Sequence, residues 1–457
     1  MIMITQKIQR MSNPINISDN CLAYNGRPLT EQEKEDLQKL ALPSISDLAN
    51  KDNGGLLVFP PDLNTYGDEI GEQHIVQYWN NTLQTGNIMG FVGINDTRLR
   101  IHSRFATGDD DYFLHYMLQK VFSVNLFDLK HSSDSEDVFD FLIYLFPYFL
   151  KKALRLGLFK TYQRYSYNDA NVRGTIDVVR YLRQNMPFAG RIAYNTREYS
   201  YDNNITELIR HTIEYIDSHP FGKGILENDN ETIEDVEKIR LSTPSYQQRE
   251  LRTIIGKNIR PLNHPYYTEY RPLQQICLRI LLHEELKYGR KKDDIYGILF
   301  DGAWLWEEYL NTILCSCGFN HPRNKKGEGG IRVFKNSPLR FYPDFWRKDF
   351  VLDTKYKNYG EYSVQSKDYH QLIAYMYLLQ MNRGGFVVPY ANVPDANKKD
   401  LELVGYGGNI KVYGLTVGTQ CVSYAEFVNY MNTEENKLIN KIQNERILVR
   451  TSEMDIL

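Results

Sequence analysis

The sequence has little cysteine, with five residues in a chain of 457. An odd number at irregular spacing argues against a disulfide framework and indicates a reducing compartment. Cys315, Cys317 and His321 form a C-x-C-x₃-H cluster that would be half of a zinc site. Because no second Cys/His pair follows at a matching spacing, the alternative is a pair of buried thiols at the end of a helix.

The chain also has no long apolar run. Its most apolar stretch, Val138 to Leu150, is thirteen residues long and contains Asp140 and Pro147. A membrane-spanning helix needs about 20 apolar residues, so this stretch is interpreted as a buried helix. The first residues, MIMITQKIQRM, hold no apolar core long enough for a signal peptide. We therefore expect a cytoplasmic protein without a membrane contact.

A charge excess is missing too, since the formal net charge is −3. The chain has no global basic field to hold nucleic acid, so a protein with this balance needs a local basic surface or a partner that grips the DNA. It has no G-x-x-x-x-G-K-[ST] loop, which excludes a P-loop nucleotide motor. Its hydrophobic fraction of 42% and charged fraction of 24% are those of a folded, soluble protein.

The length predicts two or three domains, because 457 residues exceed one ordinary core. Short apolar runs between turn signals predict a β-rich N-terminal domain over residues 1–110. Apolar residues at helical spacing predict a mainly helical middle domain over residues 111–290. The order of elements over residues 291–457 predicts an α/β domain with a central mixed sheet.

Individual elements follow from local patterns. Thr30 and Glu33 form a capping box that predicts a helix to about Leu42, and the runs Phe91–Ile94 and Leu99–His102 predict a hairpin. The C-terminal region is predicted to contain, in order, a helix over Gly302–Cys315, strands around Ile331–Phe334, Arg340–Trp346 and Phe350–Tyr356, a helix over Tyr369–Leu379, strands over Gly385–Pro389 and Ile410–Thr416, and a helix from about Tyr424.

One constellation in this region carries chemistry, namely Pro343-Asp344 followed by Asp353-Thr354-Lys355. Residues two apart on a strand project to the same face, so Asp353 and Lys355 point the same way and Asp344 can converge on them. Two carboxylates and a backbone carbonyl form an all-oxygen site suited to Mg²⁺ or Mn²⁺. A metal-bound water and a neighbouring ammonium are what phosphodiester hydrolysis needs.

The flanking residues favour this function. Phe350–Leu352 is an apolar run typical of a strand buried on both faces. Gln371 and Tyr375 are four apart on one helical face, and Glu307 on an upstream helix can add a third carboxylate. A D-x-K triplet alone is usually a solvated ion pair, but the order P-D, D-x-K, Q-x-x-x-Y favours a nuclease site.

These motifs resemble those of the PD-(D/E)xK nuclease superfamily, in its branch with Q-x-x-x-Y. Three further runs resemble McrC, the nuclease subunit of McrBC-type modification-dependent restriction systems, and its relatives in LlaJI-type systems: Leu305-Trp306-Glu307, Leu352 to Lys357 and Arg173-Gly174-Thr175-Ile176. The resemblance covers about residues 295–390 and, in patches, 90–180.

The resemblance implies a PD-(D/E)xK restriction-endonuclease-like domain at residues 291–457 that cuts double-stranded DNA. It implies a Mg²⁺ site, with Mn²⁺ as a possible substitute, formed by Asp344, Asp353, the Thr354 carbonyl and Glu307. Lys355 would serve the attacking water, and Gln371 would orient the site.

The resemblance also implies a partner, a McrB-like AAA+ hexamer that hydrolyses GTP or ATP and recognises the DNA in phage defence. The N-terminal part of the chain would insert into that ring and stimulate hydrolysis, which agrees with the near-neutral charge. One alternative is a regulatory subunit that keeps the nuclease fold and mainly activates the ring. Another is an autonomous repair nuclease, which predicts strong DNA binding by the isolated chain.

Other side chains have two interpretations each. Five cations near the motifs are either DNA-backbone contacts or solvated side chains: Arg323, Lys325, Lys326, Lys357 and Lys367. His370 is expected to be packed or exposed rather than catalytic. Arg173-Gly174 is interpreted as a structural bend or close backbone approach, with the partner interface as the alternative.

Overall fold

A computed structural model describes residues 14–49, 55–60, 69–106, 111–122, 136–219, 222–287, 295–322, 327–357, 364–391, 401–404 and 407–454. The chain forms two compact units. The first unit contains Met1–Phe127 and Lys291–Leu457, and the second unit contains Asp128–Arg290.

The strands of the described residues are β1 (Ile15–Ser18), β2 (Gly55–Phe59), β3 (Val76–Trp79), β4 (Thr82–Thr85), β5 (Ile88–Ile94), β6 (Thr97–His102), β7 (Thr161–Asp169), β8 (Thr175–Ile176), β9 (Ile192–Ser200), β10 (Ile295–Asp301), β11 (Ile331–Arg332), β12 (Arg340–Phe341), β13 (Phe345–Arg347), β14 (Phe350–Thr354), β15 (Arg383–Tyr390), β16 (Leu401–Glu402) and β17 (Asn409–Thr416).

The α-helices in the same part of the chain are α1 (Glu31–Ala41), α2 (Ile45–Ala49), α3 (Tyr112–Phe122), α4 (Glu136–Leu154), α5 (Val178–Gln184), α6 (Asn204–Ser218), α7 (Gly222–Leu226), α8 (Asn230–Ser242), α9 (Leu251–Asn258), α10 (Tyr270–Lys287), α11 (Gly302–Leu314), α12 (Ser366–Leu379) and α13 (Tyr424–Met454). Across the described ranges, none of these helices combines the length and the apolar character needed to cross a bilayer.

The first sheet of the first unit has the strand order β1-β6-β5-β10-β2. The predicted hairpin is confirmed, because β5 and β6 pair antiparallel. Strand β10 pairs antiparallel with β5 and parallel with β2. The sheet thus joins strands from the regions 1–110 and 291–457, which the sequence analysis assigned to different domains.

The antiparallel strands β5 and β10 approach each other closely at two glycines with positive φ, Gly90 with φ 134° and Gly297 with φ 148°. A Cβ on Gly90 would lie 2.1 Å from the carbonyl oxygen of Ile298, and one on Gly297 would lie 2.1 Å from that of Phe91. Only glycine permits both this backbone conformation and this close approach, so the pairing of β5 with β10 depends on both residues.

Helix α1 covers this sheet and buries Leu37 and Leu40 in a core with the strand residues. Its predicted capping box is confirmed. The Thr30 side chain accepts from the Glu33 backbone N–H, and the Glu33 side chain accepts from the Thr30 backbone N–H. The cap satisfies donors that the first turn of a helix leaves unpaired.

The second sheet of the first unit has the strand order β13-β14-β15-β17-β16. Its central strands β14, β15 and β17 are parallel, and the edge strands β13 and β16 are antiparallel to their neighbours. Helix α12 connects β14 to β15 and packs on both. The prediction of a mixed sheet among helices in the C-terminal region is therefore confirmed.

The second unit is built mainly of helices, α4 to α10, as the sequence predicts. It also contains a three-stranded antiparallel sheet with the order β7-β9-β8, in a region for which helices were predicted. Gly174 precedes β8, and a Cβ there would lie 2.2 Å from the Asn195 carbonyl oxygen. The predicted close backbone approach at Arg173-Gly174 is therefore confirmed.

Candidate active site

The site begins where β14 leaves the core of the second sheet. Phe350, Val351 and Leu352 are fully buried, as expected for a strand covered on both faces, and Asp353 follows them with no exposed surface. The Lys355 Nζ atom lies 2.8 Å from Asp353 Oδ2. The Lys355 backbone N–H donates to Val387 of β15, which holds the strand exit in the parallel ladder.

Asp344 comes to the same place from the segment before β13. Its Oδ2 atom accepts hydrogen bonds from the Thr354 backbone nitrogen at 2.6 Å and from Thr354 Oγ1 at 2.8 Å. The structure therefore brings Asp344, Asp353 and Lys355 together, although eight residues separate the two aspartates. Thr354, between the acid and the lysine, acts as the connection.

Glu307 reaches the site from α11. Burial raises the pKa of Glu307 well above its usual value, and the nearby Asp344 and Glu308 carboxylates raise it further. The Glu307 side chain is 14% exposed, whereas that of Glu308 is 34% exposed. Only Glu307 is thus largely enclosed, in agreement with the 100° rotation between successive helical residues.

Burial and neighbouring charges shift the pKa values of both Asp353 and Lys355. The pKa of Asp353 is raised to about 7, mainly by burial and additionally by the Asp344 carboxylate, while the Lys355 ammonium opposes the rise. Burial lowers the pKa of Lys355, but the Asp353 and Asp344 charges outweigh burial, so this pKa is raised. Lys355 is therefore a cation at neutral pH.

The Q-x-x-x-Y motif on α12 connects Lys355 to the Asp344 segment. Lys355 Nζ lies 3.3 Å from Gln371 Oε1, and Gln371 Nε2 donates to the Tyr375 hydroxyl at 2.8 Å. The Tyr375 hydroxyl donates in turn to the Tyr342 carbonyl at 3.3 Å. Gln371 is exposed, so the site opens to solvent on this side.

Two site residues were missed by the sequence analysis. Asp368, at the start of α12, is buried; it lies 3.0 Å from Lys357 Nζ and 3.8 Å from Lys355 Nζ. His321 donates from Nδ1 to the Asp344 carbonyl oxygen at 2.9 Å and stacks on Phe345. For Asp368, the only signal in the sequence was its position as an acidic residue in the first turn of the helix that carries Gln371.

His321 also approaches the α11 carboxylates, with Nδ1 3.7 Å from Glu307 and Nε2 3.8 Å from Glu308. Burial lowers the pKa of His321, but the bonds to Glu308 and to the Asp344 carbonyl outweigh burial and raise it. These contacts place His321 with the acidic site. Cys317 is buried and Cys315 is exposed, so buried thiols at the helix end describe only one of the pair.

The residues at the strand exit fit a divalent cation. Within the described part of the chain, the Oδ1 atom of the fully buried Asp353 accepts no hydrogen bond, and its Oδ2 atom has only the Lys355 ammonium at 2.8 Å. The Lys355 ammonium is a counter-charge for Asp353, and Asp344 is held at the same strand end by its hydrogen bonds to Thr354. No three His, Cys, Asp or Glu side chains of the described residues form a complete metal cluster. A cation here would therefore need carbonyl and water oxygens as well, and Glu307 as a ligand stays a prediction.

The remaining candidates give mixed results. Arg323, Lys325 and Lys326 lie outside the described residues. Lys367 and His370 are exposed. Arg173 packs its guanidinium 5.4 Å above the Tyr167 ring within the second unit.

Residues 83–390 match the model of the family described as McrBC 5-methylcytosine restriction system component. Among solved structures, the chain is similar to a half-complex from a tetradecameric assembly of Thermococcus gammatolerans McrB AAA+ hexamers with bound McrC, at 15% identity, 92% and 99% coverage of the two chains and a TM-score of 0.45. It is also similar to the T. gammatolerans McrBC complex, at 14% identity, 66% and 87% coverage and a TM-score of 0.30. No curated protein matches.

Proposed function

We propose, from the premise that this chain belongs to the family of McrBC 5-methylcytosine restriction system components, that it is the Mg²⁺-dependent endonuclease subunit of such a system. The second sheet with α11 and α12 would be its PD-(D/E)xK domain. Its substrate would be double-stranded DNA, and its reaction the hydrolysis of phosphodiester bonds.

One observation carries this proposal. Asp353 is a fully buried carboxylate whose Oδ1 atom has no hydrogen-bond donor in the described chain, and whose Oδ2 atom has the Lys355 ammonium at 2.8 Å. A buried charge is costly unless it is paired or coordinates a metal. A carboxylate needed only for the fold would have donors on both oxygens, so the unsatisfied Oδ1 atom favours a ligand-binding role.

The surrounding residues fit roles in phosphodiester hydrolysis. Asp344 and Asp353, with the Thr354 carbonyl, would hold Mg²⁺, which supplies an activated water and neutralises charge on the phosphate. Lys355 stays cationic, so it would orient the water and stabilise the negative charge that develops on the phosphate. Gln371 receives Lys355 and thereby fixes the direction of the ammonium.

We further propose that the chain works with a McrB-like AAA+ partner. A family described as a restriction system component implies other components, and this sequence contains no nucleotide-binding loop of its own. The net charge of −3 also favours a partner that supplies the grip on DNA.

The test is DNA cleavage by the full chain, co-expressed with the AAA+ protein encoded beside it, with Mg²⁺ and nucleotide. Substrates are methylated and unmethylated duplexes. Asp353→Ala and Lys355→Ala are expected to lower cleavage by about 10³-fold or more, because each removes several kcal/mol of transition-state stabilisation. The same variants should still raise the nucleotide hydrolysis of the partner.

Lys348→Ala and Asp349→Ala are the matched controls, since both residues lie in the turn just before β14 and outside the site. They should cut like the wild type. Equal cleavage by the site variants and the wild type would show that the site is misassigned. Stimulated hydrolysis without any cleavage by the wild type would instead establish the regulatory subunit, and strong cleavage without the partner would establish the autonomous nuclease.

A further inference from the structure

The residue after Lys355 leaves the site and enters the core of the first sheet. Tyr356 is buried, and its hydroxyl lies 3.1 Å from the Ser103 hydroxyl and 3.4 Å from Met89 Sδ. The exit of β14 is therefore anchored in a sheet to which β14 does not belong.

Arg104 holds Tyr356 from the side of the first sheet. The Arg104 guanidinium lies 4.7 Å from the centre of the Tyr356 ring, and Nη1 donates to the Tyr356 carbonyl oxygen at 3.3 Å. A guanidinium is planar and has five donors in a rigid fork, so it can stack on a ring and donate to several acceptors at once.

The same guanidinium also reaches the start of α11, which carries Glu307. Arg104 Nη2 donates to Asn87 Oδ1 at 2.7 Å. The Asn87 carbonyl accepts from the Gly302 backbone nitrogen at 2.8 Å, and Asn87 Nδ2 lies 3.5 Å from the Asp301 carboxylate. Asp301 caps α11 by accepting from its first turn.

Asp19 of the loop after β1 fixes Arg104 itself. The Asp19 carboxylate accepts from the Arg104 backbone nitrogen at 2.6 Å, from Nε at 3.0 Å and from Nη2. The Asp19 side chain is fully buried and that of Arg104 is 14% exposed. With so many bonds in so little solvent, the guanidinium has one orientation.

We propose that Arg104 is a positioning residue of the active site. It fixes the distance between the end of β14 and the start of α11. The proposal rests on the proposed function, because it concerns the geometry between Lys355 and Asp353 on one element and Glu307 on the other. A shift of either element would separate groups that must act on the same cation and phosphate, and a misplacement of 1 Å can cost about 10²-fold in rate.

Arg104→Lys in the full chain is the first test. Lysine keeps the charge beside Asp19 but cannot donate to Asp19, Asn87 and Tyr356 together. We expect weaker Mn²⁺ binding by about 10-fold in calorimetry, and slower partner-activated cleavage by about 10- to 100-fold, as for other residues that orient metal ligands. Melting temperature is measured for every variant, and binding is measured well below it.

Arg27→Lys is the matched control. Arg27 forms a two-bonded pair with Glu33 at 2.5 and 3.0 Å in the same unit and away from the site. This variant should lose a similar pair without any change in Mn²⁺ affinity or cleavage. If Arg27→Lys weakened Mn²⁺ binding as much as Arg104→Lys, general destabilisation would explain both and the inference would fall.

Asn87→Ala keeps the Arg104–Asp19 pair and removes only the side-chain connection to α11, so it tests the idea if Arg104→Lys does not fold. We expect about 3-fold weaker Mn²⁺ binding, at the lower end for orienting residues. If Asn87→Ala and Arg104→Lys both bind Mn²⁺ as tightly as the wild type, and the wild type cuts DNA, the positioning role is overturned and the proposed function stays intact. A wild type that neither binds Mn²⁺ nor cuts DNA would instead overturn the proposed function.

Discussion

The two five-stranded sheets of the first unit both bury aspartates, but they treat them differently. In the first sheet, Asp36 accepts hydrogen bonds from Asn95 at 2.8 Å and from Thr97 at 2.7 Å. Asp19 accepts three from Arg104. Asp36 and Asp19 thus have donors on both oxygens, which is the usual condition of buried polar groups.

In the second sheet, Asp353 is equally buried, but only its Oδ2 atom has a donor among the described residues, the Lys355 ammonium, and its Oδ1 atom has none. Burial raises the pKa of Asp19 as well as that of Asp353, but Arg104 opposes the rise with a charge and several bonds. The Asp344 carboxylate adds to the rise at Asp353. The comparison teaches that the buried acids of the first sheet have their hydrogen bonds within the fold, whereas Asp353 keeps one oxygen available to a ligand.

The largest expected effect on stability is at Asp19. Asp19→Asn should lower the free energy of unfolding by about 3–5 kcal/mol, because it leaves the Arg104 guanidinium buried without its counter-charge. Chemical denaturation of the full chain measures the change. Arg27→Lys, which weakens a more exposed pair, serves as the comparison. A loss under 1 kcal/mol at Asp19 would show that the two sheets do not differ as described.

The opposite sign is expected at Asp353. Its pKa of about 7 in the folded chain lies above the unfolded value near 3.8, so stability falls as pH rises through that window and is lowest above pH 7. Asp353→Asn removes this cost. Without metal, it should raise the free energy of unfolding by about 2 kcal/mol at pH 8, and by less at pH 5.

The measurement at Asp353 is denaturation in chelator at both pH values. Lys348→Ala, at an exposed residue of the turn before β14, is the control and should stay within about 0.5 kcal/mol of the wild type at either pH. An Asp353→Asn variant that is less stable than the wild type at pH 8 would place Asp353 with the satisfied acids of the first sheet.

A smaller effect is expected at Thr354, the residue that connects the two aspartates. Thr354→Val keeps the branched shape and the backbone bond to Asp344 but loses the hydroxyl bond of 2.8 Å. We expect a loss of about 1 kcal/mol in the free energy of unfolding. Thr354→Ser keeps the hydroxyl and should retain most of the stability; equal losses in both variants would show that the hydroxyl bond contributes nothing.

Much of the second sheet follows from local sequence patterns. The predicted strand over Ile410–Thr416 is observed as Asn409–Thr416, and the predicted helix over Tyr369–Leu379 as Ser366–Leu379. Apolar alternation and helical spacing are properties of neighbouring residues, so they survive in a single sequence. The order of the motifs likewise placed the two aspartates, the lysine and the glutamine on adjacent elements.

The connections between distant parts of the chain do not follow in this way. Strand β10 pairs with β2 and β5, about 200 residues earlier, and Arg104 reaches Tyr356 across 252 positions. Nothing local in Tyr356 or Asp368 separates them from surface residues of the same type. Such pairings depend on which strands meet, and this is decided by burial of the whole core.

The sequence alone therefore determined the local elements, the residue types of the candidate site and the family to which they belong. The tertiary structure alone decided that Asp353 is enclosed with one oxygen lacking a hydrogen-bond donor among the described residues and that Arg104 joins the site to the first sheet. The physical reason is that helix and strand patterns are short-range, whereas desolvation of a carboxylate is produced by every element that packs around it.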